Sequence, residues 1–491
     1  MDEMTPLSPA IRRTHFINGV WSQTGGRTFN DYNPFNGEVV AEVAAGGRDE
    51  AQAAVTAAHA AFPAWAAMAP GQRQRLFLKA ADIVDRRRAE IIRLMAAENG
   101  SGSMFSSYQA SLVADQLRHA SGWCFRPIGD VVPNAVPGRL ALAVRKPLGV
   151  VAGFSPWNGA FTLAFRTVVL PMIFGNTVVL KPSEEAPLSA GLIVAEILEE
   201  AGFPPGTINV ITHGPSEAAP IADVFFERPE VRSINFTGSS ATGRMLAARA
   251  GQALKRIVLE LGGYNPIMVL KDVDMANAIN TTAFSAFFHQ GQICMNARKV
   301  LVERAIHDEF VGGLAAKIQG FKSGDPAEPS TVIGPLINDR ALQSVTARVQ
   351  DAVSRGARLV TGGTSKGLVY EPTILTHVPP SAPINYEETF GPVLVIEAVE
   401  DAEEALLKAS ATPYGLCASI LTGDQDRGLD LAQRLDCGMV HVNGPTMASE
   451  PSLPNGGVKD SGWGRSGPYA VEDFTEYRLM TLSHGSGRFP I

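Results

Sequence analysis

Cysteine is scarce in this chain, which has only 4 of them among 491 residues. They stand far apart, at positions 124, 294, 417 and 437, and neither a disulfide framework nor a Cys-x-x-Cys pair is present. No group of histidines and cysteines has the spacing of a zinc site, so we expect no metal. The sequence therefore predicts four separate free thiols.

Long hydrophobic runs and an excess of positive charge are also lacking. The most apolar stretch, residues 168–180, is too short to cross a bilayer and is broken by proline, glycine and asparagine. The first 13 residues have no apolar core, which argues against a secretory signal. A net charge of −7 without a polybasic run argues against a nucleic-acid partner. We therefore expect a cytoplasmic protein that binds neither membranes nor nucleic acids.

The chain is too long for one hydrophobic core, because single cores stop growing near about 250–300 residues. Short apolar strands alternate with helical segments in two successive stretches, with poorly helical segments outside them. This alternation predicts parallel, doubly wound sheets that bind ligands at the carboxyl ends of their strands. We predict an α/β fold with a Rossmann-like domain at 1–121 and 148–259, a second α/β domain at 260–458, and a small β element at 122–147 and 474–491.

Cys294 lies in a loop that contains glycine and follows a helix predicted at 274–289. A thiol in such a loop can have a lowered pKa and face substrate. The alternative is a core thiol, since free cysteine is often buried, and we assign the other three cysteines to that class. His289 invites a Cys–His dyad, although a position at the helix C-terminus, where a cation is favoured, is the alternative that we prefer.

Two further side chains fit chemistry on a carbonyl group. Glu260 ends an apolar strand before two glycines, and apolar surroundings raise a carboxyl pKa towards the range of a general base. Asn158 follows another strand, where its amide could donate a hydrogen bond to a developing oxyanion. Each also has a plainer interpretation, Glu260 as a solvated acid at a strand end and Asn158 as a turn or capping residue.

Two other segments fit a dinucleotide. Lys181 and Glu184 stand at a strand end, where such groups hydrogen-bond an adenosine ribose. Gly238 and Ser239 begin a helix among small residues, and its free N–H groups suit a pyrophosphate. The G-x-G-x-x-G fingerprint itself is missing.

Taken together and in this order, the motifs make the chain resemble the NAD(P)-dependent aldehyde dehydrogenase superfamily over essentially its whole length. The matching segments are Pro-Trp-Asn at 156–158, Lys-Pro-Ser-Glu at 181–184, Phe-Thr-Gly-Ser at 236–239, Glu-Leu-Gly-Gly at 260–263, Gly-Gln-Ile-Cys at 291–294, Glu-Thr-Phe-Gly-Pro at 388–392 and Lys-Asp-Ser-Gly-Trp-Gly-Arg at 459–465.

The resemblance implies a covalent mechanism. Cys294 would add to the aldehyde carbon, and the Asn158 amide with the Cys294 backbone N–H would form the oxyanion hole. Hydride transfer to the nicotinamide would leave a thioester, which water activated by Glu260 would hydrolyse. A carboxylate at Glu260 favours hydrolysis over transfer to coenzyme A.

The resemblance also implies how the cofactor is held. NAD is expected, because the Glu184 carboxylate would repel a 2′-phosphate, with NADP as the alternative. The first domain would bind the cofactor, the second would carry Cys294, and the small β element would join a homodimer or homotetramer. The implied cofactor residues are Trp157, Lys181, Glu184, Gly238, Ser239, Glu388 and Phe390.

Three positions depart from the usual family pattern: Tyr264 replaces a common lysine, Gly159 a phenylalanine, and Ser466 a glutamate. The Tyr264 and Ser466 changes put any accessory proton relay in doubt. Gly159 would widen the substrate tunnel.

The substrate is expected to be an aromatic aldehyde. Arg166 and the segment 289–295 look like the branch that oxidises benzaldehyde, vanillin and salicylaldehyde. Arg166 could meet a ring hydroxyl or carboxylate, or could instead pair with an acid of the protein. The alternatives are an aliphatic or semialdehyde dehydrogenase and a catalytically silent relative. The expected pocket residues are Gly159, Phe161, Phe165, Arg166, Ile293 and Met295.

Overall fold

The computed structural model describes residues 12–22, 26–126 and 128–484. The parts of the predicted domains at 1–11, 23–25, 127 and 485–491 lie outside these residues. The described chain is a mixed α/β fold with two mainly parallel sheets and a separate small sheet. The predicted fold class is confirmed.

The secondary structure alternates along most of the described chain. The strands are β1 (Phe16–Ile17), β2 (Val20–Trp21), β3 (Thr28–Tyr32), β4 (Val39–Ala44), β5 (Gly129–Val131), β6 (Arg139–Pro147), β7 (Val150–Ser155), β8 (Thr177–Pro182), β9 (Ile208–Val210), β10 (Val231–Thr237), β11 (Arg256–Glu260), β12 (Ile267–Val269), β13 (Lys299–Glu303), β14 (Arg358–Thr361), β15 (Ser365–Lys366), β16 (Val369–Tyr370), β17 (Thr373–Thr376), β18 (Val393–Val399), β19 (Tyr414–Gly415), β20 (Cys417–Leu421), β21 (Met439–Val442), β22 (Val458–Lys459), β23 (Gly462–Trp463) and β24 (Thr475–Ser483). The α-helices are α1 (Arg48–Ala67), α2 (Pro70–Arg86), α3 (Arg88–Asn99), α4 (Ser103–Trp123), α5 (Ala160–Ile173), α6 (Ile193–Ala201), α7 (Ala218–Glu227), α8 (Ser240–Gln252), α9 (Met275–Phe287), α10 (His307–Gln319), α11 (Asp339–Ser354), α12 (Ala402–Ser410), α13 (Gln425–Arg434) and α14 (Val471–Phe474).

The first sheet has the order β2-β1-β9-β8-β7-β10-β11-β23, and its five strands from β9 to β11 are parallel. Successive side chains in the middle of β8 show why residues 178–180 are all apolar. Val178 and Leu180 enter the cluster under α5 and α6, while Val179 enters the cluster under α1 and α7. Both faces are covered, so the strand has no polar side.

The second sheet has the order β14-β17-β18-β13-β12-β20-β21 and is parallel except for β14. Beyond it the chain returns to the first sheet, where Gly462 pairs with Glu260 in an antiparallel contact. This return fixes the end of β11, the strand that carries Glu260.

The poorly helical segments form the third sheet, in the antiparallel order β24-β6-β5. Its nine-residue pairing between β6 and β24 joins the two segments that the sequence assigned to one β element. The oligomerisation role of this element stays a prediction.

The helix predicted at 274–289 is shorter than expected. The α9 helix ends at Phe287, and a 3₁₀ turn follows, in which His289 and Gln290 have φ values of 51° and 53°. These left-handed conformations interrupt the helix because non-glycine residues rarely continue one there.

In the described ranges, no helix is both long and apolar enough to cross a membrane. The same ranges contain no group of three or more His, Cys, Asp or Glu side chains that could hold a metal ion.

Candidate active site

Three of the predicted side chains line one cavity of about 100 Å³: Asn158, Glu260 and Cys294. Asn158 follows β7 and Glu260 ends β11, so both come from carboxyl ends of strands in the first sheet. Cys294 comes from the loop before β13 of the second sheet. The sheet topology therefore brings Asn158 together with two residues that lie more than 100 positions further along the chain.

The Cys294 loop is shaped by a glycine. Gly291 has a φ of 68°, and a Cβ atom there would lie 2.1 Å from the carbonyl oxygen of Gly391. Asn265 Nδ2 then donates to the Cys294 carbonyl oxygen at 2.6 Å. These contacts fix the backbone around the thiol, which is half-buried at the cavity.

Burial raises the pKa of the Cys294 thiol to about 11, and the positive charge of Arg166 acts against this rise. The expectation of a lowered pKa was wrong. The reason is that desolvation of the thiolate outweighs the attraction of Arg166 and Arg298, while Glu260 and Glu388 add repulsion. Of the other cysteines, Cys417 is buried as predicted, whereas Cys124 and Cys437 are partly exposed.

Glu260 is a desolvated acid with a cation nearby. Burial raises its pKa, as expected, while the positive charges of Arg166 and Arg465 lower it and Asp473 raises it. Arg166 Nη2 lies 3.7 Å from Glu260 Oε2, and both side chains are largely buried. The acid of the protein that pairs with Arg166 is therefore Glu260.

Asn158 connects the two sheets at the cavity. Its Nδ2 donates to the carbonyl oxygen of Gln292 at 2.9 Å, two residues before Cys294. It does not cap α5, because Gly159 occupies the N-cap position. The amide is thus held beside the thiol loop.

His289 fits neither of its predicted roles. It follows the end of α9 and is 2% exposed, and burial lowers the pKa of its ring to about 3. A neutral ring gives no cation for the helix C-terminus. The ring stacks on Phe105 at 4.5 Å between centroids, and no hydrogen bond to Cys294 occurs in the described chain.

Four of the predicted pocket residues line the cavity: Gly159, Arg166, Ile293 and Met295. Phe161 and Phe165 do not, and the prediction for both was wrong. Phe161 and Phe165 are fully buried in the core, with their rings 4.9 Å apart, because the opposite face of α5 looks into the cavity.

One whole wall of the cavity was not predicted from the sequence. Phe105, Tyr108, Leu112 and Gln116 of α4 line it from one side. Their spacing of three or four residues is the period of a helix face, and this signal was available in the sequence.

The residues predicted to bind the adenosine side of a cofactor lie at the carboxyl edge of the first sheet. Lys181 is 8% exposed near the end of β8, and its Nζ contacts Nε2 of His213. Glu184 follows two residues beyond this strand, and its negative charge acts on both Lys181 and His213. Ser239 is the N-cap of α8, where its hydroxyl accepts from the backbone N–H of Thr242 at 3.2 Å.

The residues predicted to bind the nicotinamide side lie closer to the thiol. The backbone N–H of Gly263 donates to Glu388 Oε1 at 3.3 Å, and a Cβ atom at Gly262 would lie 2.4 Å from Glu388 Oε2. The rings of Trp157 and Phe390 meet edge to face, with centroids 5.7 Å apart. These groups fit a dinucleotide. They are Lys181 and Glu184 near a strand end, the N-terminus of α8 at Ser239, and the Glu388 carboxylate beside Gly262.

Tyr264 and Ser466, two positions that depart from the usual family pattern, have different surroundings. Tyr264 is buried, and its hydroxyl donates to the Ile384 carbonyl oxygen at 3.2 Å. Ser466 instead lines the cavity, and its backbone N–H donates to the Asn455 carbonyl oxygen at 2.8 Å. Tyr264 therefore helps to hold the fold, whereas Ser466 faces the cavity.

Comparison with known proteins agrees with this geometry. The chain matches the Aldehyde dehydrogenase family over residues 21–480. A vanillin dehydrogenase of Pseudomonas fluorescens is 43% identical over 467 residues, which cover 95% of this chain and 96% of that protein. A benzaldehyde dehydrogenase of Bacillus subtilis is 36% identical over 477 residues, which cover 97% of this chain and 98% of that protein.

Among solved structures, a salicylaldehyde dehydrogenase from Pseudomonas putida G7, crystallised with salicylaldehyde, has a TM-score of 0.95 to this chain. It is 34% identical, and the match covers 97% of this chain and 99% of that one. The chain therefore belongs to the aldehyde dehydrogenase family and is an enzyme that oxidises aldehydes with a nicotinamide cofactor.

Proposed function

We propose that the enzyme oxidises an aromatic aldehyde to the carboxylic acid with NAD⁺, through a thioester on Cys294. The observation that carries this proposal is the single cavity lined by Asn158, Glu260 and Cys294. A nucleophile, an amide donor and a carboxylate with a raised pKa are the groups that acyl chemistry with hydrolysis requires. A catalytically silent relative would have no need of all three in one cavity.

The first step is addition of the Cys294 thiolate to the aldehyde carbon. Because burial raises the thiol pKa to about 11, most of the enzyme holds a neutral thiol at neutral pH. Arg166 lowers this pKa and thereby favours the reactive form. One N–H of the Asn158 amide is held by the Gln292 carbonyl, and the other can donate to the oxyanion.

A bound nicotinamide cofactor supplies the hydride acceptor that converts the thiohemiacetal on Cys294 into a thioester. The side chains that would hold it are Trp157, Lys181, Glu184, Ser239, Glu388 and Phe390, with Gly238 leaving room beside Ser239.

Glu260 completes the cycle as the general base. Its raised pKa makes the carboxylate a better proton acceptor than a solvated glutamate. It takes a proton from water, the resulting hydroxide attacks the thioester carbonyl, and the thiolate of Cys294 leaves with release of the acid. The balance is one aldehyde, one water and one NAD⁺ consumed for one carboxylate, one NADH and two protons.

The shape of the cavity supports an aromatic substrate. Phe105, Leu112, Ile293 and Met295 present apolar walls, and Gly159 adds no side chain. Arg166 is the positive group at this cavity, and it could meet a ring hydroxyl or carboxylate as well as Glu260. The vanillin, benzaldehyde and salicylaldehyde dehydrogenases that resemble this chain agree with this choice.

Glu184 supports NAD over NADP. Its carboxylate lies beside Lys181 at the strand end, where it can accept from a 2′-hydroxyl but would repel a 2′-phosphate.

The small sheet supports self-association. Leu479 and Leu482 of β24 are 71% and 59% exposed, and Val131 of β5 is 70% exposed. Exposed apolar side chains on one small sheet suit a subunit contact. We propose a homodimer or homotetramer built on this sheet, while the cytoplasmic location stays a prediction from sequence.

The test is a panel of aldehydes with NAD⁺, followed by NADH absorbance. We expect kcat/KM for benzaldehyde, vanillin and salicylaldehyde to exceed that for propanal and succinic semialdehyde by about tenfold or more, since each buried apolar group adds to binding. Cys294→Ala is the control and should remove turnover with every substrate. Higher kcat/KM for the aliphatic aldehydes would contradict the aromatic assignment.

A further inference from the structure

A buried histidine that the motifs leave unassigned touches the lysine at the adenosine-side edge. His213 stands three residues after β9, and Lys181 lies on β8, the parallel neighbour of β9. His213 is 1% exposed, and its Nε2 is in direct contact with Lys181 Nζ. Two side chains that both carry protons do not meet in this way unless one of them accepts.

The ammonium group and the closer of two carbonyl oxygens decide which one accepts. His213 Nδ1 lies 2.8 Å from the carbonyl oxygen of Gly214, which accepts hydrogen bonds and donates none. The ammonium group of Lys181 has no lone pair, so Nε2 accepts from it, and the single proton of a neutral ring lies on Nδ1 beside the closer carbonyl oxygen. Pro182 places its carbonyl oxygen 3.1 Å from the same Nε2, on the lysine side of the ring.

The charges around the ring keep this arrangement at neutral pH. Burial, with the positive charge of Lys181, lowers the pKa of His213 to about 4, although Glu184 and the neighbouring carbonyl oxygens act in the opposite direction. Burial also lowers the pKa of Lys181 to about 8, again opposed by Glu184. At pH 7 the pair is thus a neutral imidazole and a largely protonated lysine.

The contact restricts an otherwise mobile lysine head. An ammonium group has three N–H donors. One meets His213 Nε2 and another meets the Pro182 carbonyl oxygen at 3.4 Å, so the direction of the third is fixed by the first two.

We propose that His213 is a positioning residue for the cofactor, which orients Lys181 so that its third N–H meets the adenosine ribose. This inference rests on the proposed function, in which Lys181 binds that ribose. His213 itself need not touch the cofactor. Its effect should appear in cofactor binding and not in the chemical steps at Cys294.

Two replacements of His213 test whether Lys181 needs a hydrogen-bond acceptor at the position of Nε2. His213→Gln keeps an acceptor at the distance of Nε2, whereas His213→Asn keeps only a donor at the position of Nδ1. Titration of the free enzyme with NADH, followed by NADH fluorescence, measures binding without turnover. We expect His213→Asn to raise Kd about tenfold, the effect of one lost hydrogen bond, and His213→Gln to stay within about threefold of wild type. At saturating cofactor, kcat should change less than twofold in both.

A cycle with Lys181→Met shows whether His213 acts through the lysine. Lys181→Met should weaken NADH binding, and His213→Asn should then weaken it no further. Equal effects of His213→Asn with and without Lys181, or no effect at all, would overturn the role of His213 while leaving the ribose assignment of Lys181 intact. Unchanged NADH binding in Lys181→Met would overturn both. Thermal unfolding of each variant checks that binding is measured on folded protein.

Discussion

Two buried glutamates of this enzyme show how burial alone does not make a catalytic base. Glu98 on α3 is fully buried and accepts from the backbone N–H groups of Leu188 and Ser189 at 2.6 and 2.7 Å, and from the Ser189 hydroxyl. Glu260 lines the cavity and has Arg166 at 3.7 Å instead of close donors.

Burial raises the pKa of both carboxyl groups, that of Glu98 to about 7. The pKa of both glutamates is raised, although the two side chains have different roles. Glu98 orders the start of the segment before α6, whereas the Glu260 carboxylate has a cavity in front of it and lies beside the thiol. What distinguishes Glu260 as a base is its access to substrate and water.

Among the side chains around Cys294, the largest effect is expected at Glu260. Glu260→Gln should lower steady turnover by about 10²–10⁴-fold, because water then attacks the thioester without a general base. The first turnover should still produce NADH, so a burst close to one NADH per active site should remain in a rapid-mixing experiment. Loss of the burst itself would contradict a role in thioester hydrolysis.

The next largest loss of turnover is expected at Asn158. Asn158→Ala removes a donor to the oxyanion and should lower kcat by about 10²–10³-fold. Asn158→Asp is the variant that preserves size but removes both N–H donors, the one that holds the Gln292 carbonyl included, so thermal unfolding of both variants should accompany the kinetics. A burst measurement should show that the acylation step has slowed, and a loss below tenfold would demote Asn158 from the oxyanion hole.

The charge of Arg166 should set how easily Glu260 loses its proton. Removing its charge in Arg166→Gln should raise the pKa of Glu260 further, because Arg166 is the largest influence that now lowers it. A general base must be deprotonated, so the acid limb of the kcat profile should move to higher pH, by about one unit for a partly screened pair.

Benzaldehyde is the substrate for this measurement, since it has no ring hydroxyl or carboxylate for Arg166 to bind. Arg166→Lys keeps the charge and should keep the limb near its wild-type position. An unmoved limb in Arg166→Gln would mean that Arg166 serves substrate binding alone.

The motifs predicted much of the catalytic cavity, but not its electrostatics. Asn158, Glu260 and Cys294 stand in short segments with distinctive neighbours, and strand order brings such segments together. The pKa of Cys294 was predicted in the wrong direction, because it sums the burial and the charges of side chains from several distant segments. A local sequence window contains none of these.

The walls of the cavity were harder to predict for another reason. Nearly all of α5 is buried, so its apolar pattern does not reveal that Phe161 faces the core while Arg166 faces the cavity. The α4 face with Phe105 and Tyr108 does have helical spacing, but its partner in space depends on packing between helices. Contacts such as that of His213 with Lys181 depend on the neighbouring strand ends, which sequence order alone does not specify.

The smallest effect on turnover is expected at Glu98. Glu98→Gln should leave kcat per folded molecule within about twofold, since this side chain contacts no part of the cavity. It should destabilise the protein by about 1–3 kcal/mol, because one of the close donors then faces an amide nitrogen.

The pH dependence of stability should change as well. The folded-state pKa of Glu98 is raised above its ordinary value of 4.5 to about 7, and that of the neighbouring Asp31 is also raised, so the folded enzyme binds protons more tightly than the unfolded chain. This contribution is complete below pH 4.5 and is lost as the pH rises towards 7. Urea unfolding of wild type should show that decline, and Glu98→Gln should show less of it. The same slope in both proteins would place the coupled proton elsewhere and remove the contrast with Glu260.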